Sequence, residues 1–135
     1  MTTIDLIVSD DHQVLVYGDG KWVSLKQYHS TRQFIEQLCL RNGTTLEGCY
    51  EASRVLLNNA YKRPIYIGGG CNQIFVPTCS IKNRECNWIS LNYLSNHSLQ
   101  HYNHFGYDDM SEQRWQKHLY DGTILKTAIF GKETL

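Results

Sequence analysis

Residues 64–94 read PIYIGGGCNQIFVPTCSIKNRECNWISLNYL, and the way this stretch folds decides the architecture. Pro64 to Ile67 and Gln73 to Val76 are short apolar runs of strand length. Gly68-Gly69-Gly70-Cys71-Asn72 joins them, a loop suited to a hairpin. Pro77 ends the second strand, because it has no N–H to give to a ladder. Thr78 to Asn87 reads as a loop that carries Lys82 and Arg84. Trp88 to Tyr93 resumes regular structure, extended or helical.

Three strands are expected upstream, Thr3 to Val8, Gln13 to Tyr17 and Lys21 to Lys26. Asp10-Asp11 and Gly18-Asp19-Gly20 separate them, and both tolerate turn geometry, so an antiparallel meander follows. Ser30-Thr31-Arg32-Gln33 is a capping box. Phe34, Ile35, Leu38 and Cys39 then share a helical face, with Asn42-Gly43 as the left-handed stop. A second box, Thr44-Thr45-Leu46-Glu47, opens another helix. Its buried stripe is expected to hold Leu46, Cys49, Tyr50, Leu56 and Leu57, interrupted by Ser53 and ended by Asn58-Asn59. Arg54 is expected to pair with Glu51 at i, i+3. Asp121-Gly122, between Arg114–Tyr120 and Thr123–Phe130, predicts a final hairpin. The fold class is therefore α+β, with N-terminal antiparallel strands, two central helices and further antiparallel β-hairpins.

A chain of 135 residues can bury a real core as one domain, 1–135. No apolar run approaches the ~20 residues of a membrane span, and the N-terminus lacks signal-peptide character, so a cytoplasmic protein without membrane contact is expected. Five cysteines with no CxxC pair fit reduced thiols in core or turn positions. Net charge is zero but unevenly spread. Residues 1–31 hold two Lys against four Asp (−2), 32–84 seven Lys or Arg against three Glu (+4), and 85–135 four against six (−2). The basic middle block is where a phosphate-contacting surface is expected.

The Pro64–Leu94 stretch, with its Pro-Thr step and Cys86-Asn87-Trp88-Ile89, resembles the core of the ComK family of competence transcription factors. The likeness extends upstream through Cys39, Gly43-Thr44-Thr45-Leu46-Glu47-Gly48, Val55-Leu56-Leu57 and Lys62-Arg63-Pro64, roughly half the chain. Thr44 and Thr45 stand where that family usually has a serine pair, and Cys49 where it has an arginine, a phosphate-ligand candidate. Residues 95–111 match poorly, and the chain ends at Leu135, before a C-terminal helix and tail of longer members. The resemblance implies binding of double-stranded A/T-rich promoter DNA through the minor groove. It also implies self-association along one face of the DNA, and contacts with RNA polymerase and an adaptor–protease. A shortened, non-activating member that binds a full-length relative or an adaptor is the alternative.

Within the basic block the candidate DNA ligands are Lys82 and Arg84 after Pro77-Thr78, Lys62 and Arg63 before Pro64, and Arg41 at the helix end. Asn42 and Asn72 are candidates for A/T base edges, and each of these residues has ordinary solvation as its competing role. Pro77, Trp88 and Gly48 are expected to serve structure, as strand terminator, core residue and point of close helix approach. No catalytic residue, metal or cofactor is expected. Gly68-Gly69-Gly70 precedes a strand, not the helix a phosphate loop needs. His97, His101 and His104 lack an HExxH glutamate and read as surface residues. Cys71 has neither a helix N-terminus nor an adjacent imidazole to activate it. Trp22, Trp88, Trp115 and the tyrosines could stack on bases, but strand alternation favours packing.

Overall fold

The computed structural model describes residues 3–58 and 63–131. Strands β1 (Leu6–Asp10), β2 (Gln13–Gly18) and β3 (Lys21–Leu25) form the expected meander. Helices α1 (Thr31–Arg41) and α2 (Leu46–Leu57) follow, then β4 (Ile65–Ile67), β5 (Gln73–Pro77) and β6 (Trp88–Ser90). The chain closes with α3 (Leu91–Asn96), α4 (Leu99–His104) and α5 (Glu112–Phe130). All six strands join one antiparallel sheet in the order β3-β2-β1-β6-β5-β4, with β6 bridging the two hairpins through Leu6↔Ile89 and Phe75↔Ser90.

Strand alternation sends side chains to two cores. Ile7, Val14, Val16, Ile65, Ile67, Phe75 and Trp88 meet Phe34, Ile35 and Leu38 of α1 and Leu46 and Cys49 of α2. Leu6, Val8, Val76 and Ile89 point the other way, onto Tyr93 and Leu94 of α3, Leu99 and Tyr102 of α4, and Trp115 of α5. The sheet is thus the middle of three layers. A strand buried on both faces explains why β5 reads as an unbroken apolar run.

The caps follow local chemistry, with two adjustments. Ser30 caps α1 by accepting from the Gln33 N–H, while Gln33 Oε1 accepts from the His29 N–H at 2.7 Å, one residue earlier than the expected reciprocal bond. The cap of α2 is Thr45, whose hydroxyl accepts from the Gly48 N–H at 2.9 Å, so this helix starts one residue later than the box predicts. Gly48 is exposed, and a Cβ there would meet only threonine hydroxyls, so it marks no close helix approach. Ser53 does not interrupt the buried stripe but belongs to it, with Leu46 and Cys49, while Leu56 is exposed. Asn58 is left-handed, as expected of a stop; Asn59 lies outside the described residues.

Trp88 to Tyr93 is both extended and helical. Ser90 ends β6 and its hydroxyl caps α3, accepting from the Tyr93 N–H at 3.0 Å. The expected Asp121-Gly122 hairpin is absent: one nineteen-residue helix runs through it. Trp115, His118, Gly122 and Leu125 recur at helical spacing and are all buried. Lys117 donates to both Asp121 carboxylate oxygens one turn away. Gly122 serves contact, since a Cβ there would lie 2.8 Å from Leu91 Cδ1. Among the described residues no helix is long and apolar enough to cross a membrane.

Candidate nucleic-acid interface

The loop from Thr78 to Asn87 is built around the start of α1. The buried Thr31 hydroxyl lies 3.0 Å from the Arg84 carbonyl oxygen and 2.6 Å from that of Cys86. The Arg32 N–H donates to the Arg84 carbonyl at 3.2 Å, and its guanidinium donates to the Ile81 carbonyl at 2.9 Å. These bonds use the backbone of Ile81 and Arg84, leaving the side chains of Lys82 and Arg84 exposed. From the other layer, Arg114 donates to the carbonyls of Thr78 and Asp109. The loop is thus fixed from both sides and presents its two cations outward.

Nearby carboxylates are turned away from those cations. The Glu85 carboxylate accepts from the Ser9 hydroxyl, and Asp109 accepts from Tyr102 at 2.7 Å and Asn87 at 3.1 Å. Burial, and then the charge of Asp109, push the Tyr102 phenol up, which keeps it a neutral donor. The first turn of α1 contains no acidic residue, so the positive end of its dipole adds to the local field. Among the described residues the ion pairs are Arg32–Glu36, Arg54–Glu51 and Lys117–Asp121; none uses Arg41, Lys82 or Arg84. Arg54 pairs with Glu51 as its spacing predicts, at 2.6 Å.

Arg41 is exposed at the opposite end of α1, about 15 Å from the Lys82–Arg84 loop by helical rise. Beside it runs a groove of about 400 Å³, walled by Val16, Val23, Leu25 and Phe34 and including the exposed Lys21 of β3. Charge by sequence block hides Lys21, which sits in the acidic first third. Only the β2–β3 register brings it to the α1 face.

The other candidates separate. Arg63 is 7% exposed and is not a surface ligand. Its guanidinium donates to the Tyr50 carbonyl at 3.2 Å and stacks on the Tyr50 ring at 3.8 Å, so it packs α2 against the start of β4. Lys62 lies outside the described residues. Asn42 is occupied as a clamp: its Nδ2 donates to the Leu38 carbonyl at 2.8 Å, and its Oδ1 accepts from the Cys71 N–H at 3.0 Å. Gly69, at φ +58°, passes so close that a Cβ would lie 2.9 Å from Asn42 Oδ1. Asn72 is on the opposite layer, where it accepts from the Tyr66 hydroxyl at 2.6 Å beside a cavity of about 270 Å³ lined also by Leu91, Lys126 and Phe130.

Cys49, where the resemblance leads one to expect an arginine, is 6% exposed in the α1–α2 core, with its Sγ 3.7 Å from the Thr44 hydroxyl. Burial pushes the Cys71 thiol up, which opposes a nucleophilic role. His97 and His101 are exposed and stack at 4.4 Å, with His101 Nδ1 2.6 Å from the Tyr93 hydroxyl. No group of three or more metal-ligating side chains occurs among the described residues. Trp88 and Trp115 are core residues, and Trp22 packs on Tyr17 and Phe105.

A family model described as ComK protein matches residues 13–105, more than half of the chain. The comparisons with curated proteins and with solved structures returned no match.

Proposed function

Because the chain belongs to the ComK family, whose members are competence transcription factors and not enzymes, we propose that it meets promoter DNA with the α1 layer. Lys82 and Arg84 contact phosphates at one end of the helix, and Arg41 with Lys21 contacts them at the other. The observation that carries this reading is that Arg41, Lys82 and Arg84 are exposed and outside the ion pairs of the described residues on the α1 side, with the loop carboxylate of Glu85 drawn to Ser9, whereas the exposed Lys126 stands alone on α5. The ~15 Å between the two ends equals four to five base-pair steps of ~3.4 Å, so both can reach one duplex.

A neutral protein gains most where the DNA field is strongest. The minor groove of A/T-rich DNA is narrow and concentrates negative potential, so a few cations are favoured there over an average groove. Self-association along the duplex multiplies a modest monomer affinity through effective concentration. In this reading residues 1–135 act as one domain in the cytoplasm, with RNA polymerase and an adaptor–protease as further partners.

The test is binding of the purified chain to A/T-rich and G/C-rich duplexes of equal length at two salt concentrations. Tighter A/T binding that weakens as salt rises is expected. Equal affinity for both duplexes, or none for either at low salt, contradicts the proposal.

A further inference from the structure

The same loop carries a pair of thiols that the DNA reading does not use. The β5–β6 register pairs Pro77 with Trp88, and one step on the Thr78 N–H donates to the Asn87 carbonyl at 2.8 Å. Carried one step further, past the strand ends, the same register places position 79 across from position 86. Proline has no N–H, so Pro77 and Trp88 cannot exchange two hydrogen bonds and form a narrow pair. Two steps along, a regular ladder is narrow again, a spacing of about 4.5 Å between Cα atoms. That is within the ~4.4–6.8 Å a disulfide spans.

Side-chain geometry agrees. Cys86 Sγ lies 3.5 Å from the Cys79 carbonyl oxygen, and the neighbouring Cys79 thiol adds to burial in pushing the Cys86 thiol up. Cys86 is 2% exposed beneath Thr31, whereas Cys79 is half-buried and meets solvent. The Cys86 thiol also donates to the Asn87 carbonyl at 3.2 Å, a bond that its deprotonation gives up, while Asn83 donates weakly to Cys79 at 3.6 Å.

We propose that Cys79 and Cys86 are a redox modification site, forming a reversible disulfide with a low-molecular-weight disulfide as oxidant. The Cys79 thiolate attacks one sulfur of the oxidant, whose S–S bond breaks to release one small thiolate. Cys86 loses its proton to solvent and attacks the Cys79 sulfur of the mixed disulfide, displacing the second small thiolate. Both small thiolates leave as thiols, having taken the two protons and two electrons the cysteines gave up. Burial, and then the Cys79 contact, push the Cys86 thiol up to about 12, which fits a resolving partner rather than the first attacker. The bond closes the base of the loop that presents Lys82 and Arg84. It forms whether or not those cations touch DNA, so its test is independent of the DNA reading.

Trypsin supplies that test, since it cuts after Lys82 and Arg84, between the two cysteines. The folded full chain is equilibrated with oxidised and reduced glutathione, alkylated, denatured and digested. A species joining the peptide that ends at Lys82 to the one that begins at Glu85 is expected, lost on reduction and absent from Cys79→Ser. Because the first peptide also holds Cys71, the species must persist in Cys71→Ser. No joined species, glutathione retained on Cys79 without the second step, or a joined species that survives Cys79→Ser each overturns the proposal.

Discussion

Arg63 shows how little a residue's type says about its work. In sequence it is one of two adjacent cations before a proline, but in the fold its guanidinium is held by the Tyr50 carbonyl and ring. Hydrogen bonds from charged groups are worth about 1.5–3 kcal/mol, and leaving the Tyr50 carbonyl unmet adds to the loss. Arg63→Met is therefore expected to lower unfolding free energy by about 2 kcal/mol in urea titration while leaving the salt slope of DNA binding unchanged. Asn42 makes the same point with the opposite chemistry. Asn42→Ala removes the bond from the 68–72 loop to the Asn42 oxygen and the bond that holds the Asn42 amide to the last turn of α1, and about 1–2 kcal/mol of stability should go with them. Were Asn42 a base-reading residue, the substitution would instead cost DNA affinity and spare stability.

Among the elements, the sharpest contrast is between the two hairpin signals. The 64–77 hairpin is legible because its turn, its apolar runs and its terminal proline all agree with one structure. Asp121-Gly122 misleads because a dipeptide signal is read against flanks whose apolar residues recur every three to four positions, not every two. The helix accepts its glycine because Leu91 needs the space. Helix propensity alone makes Gly122→Val favourable, whereas the 2.8 Å approach to Leu91 makes overpacking decide. A loss of about 1–3 kcal/mol in chemical denaturation is expected, with helical content retained. The caps of α1 and α2 are legible to within one residue, since Ser30 and Thr45 each bond to their own first turn, whereas the Ser111 cap of α5 is hidden by the hairpin signal that follows it. The mixed strand-and-helix character of Trp88–Tyr93 is not legible, because Ser90 serves both elements and β6 is defined by pairing with β1.

For the whole molecule, the proposed interface is a product of long-range contacts, and charge counted along the chain points to only part of it. Lys82 and Arg84 are placed by the bonds between their loop and Thr31 and Arg32, about fifty positions away in sequence. Lys21 joins Arg41 only through sheet register, while Arg63 leaves for the core. The basic block therefore does not keep together in the fold: Arg41, Lys82 and Arg84 stay exposed while Arg63 is buried. The most direct measurement is the slope of log affinity against log salt on an A/T-rich duplex, for the wild type and for the Lys82→Ala, Arg84→Ala pair. Two lost phosphate contacts should reduce the slope by roughly two units, with the unfolding midpoint unchanged. An unaltered slope in a stably folded double variant would contradict the α1 layer as the DNA-binding face.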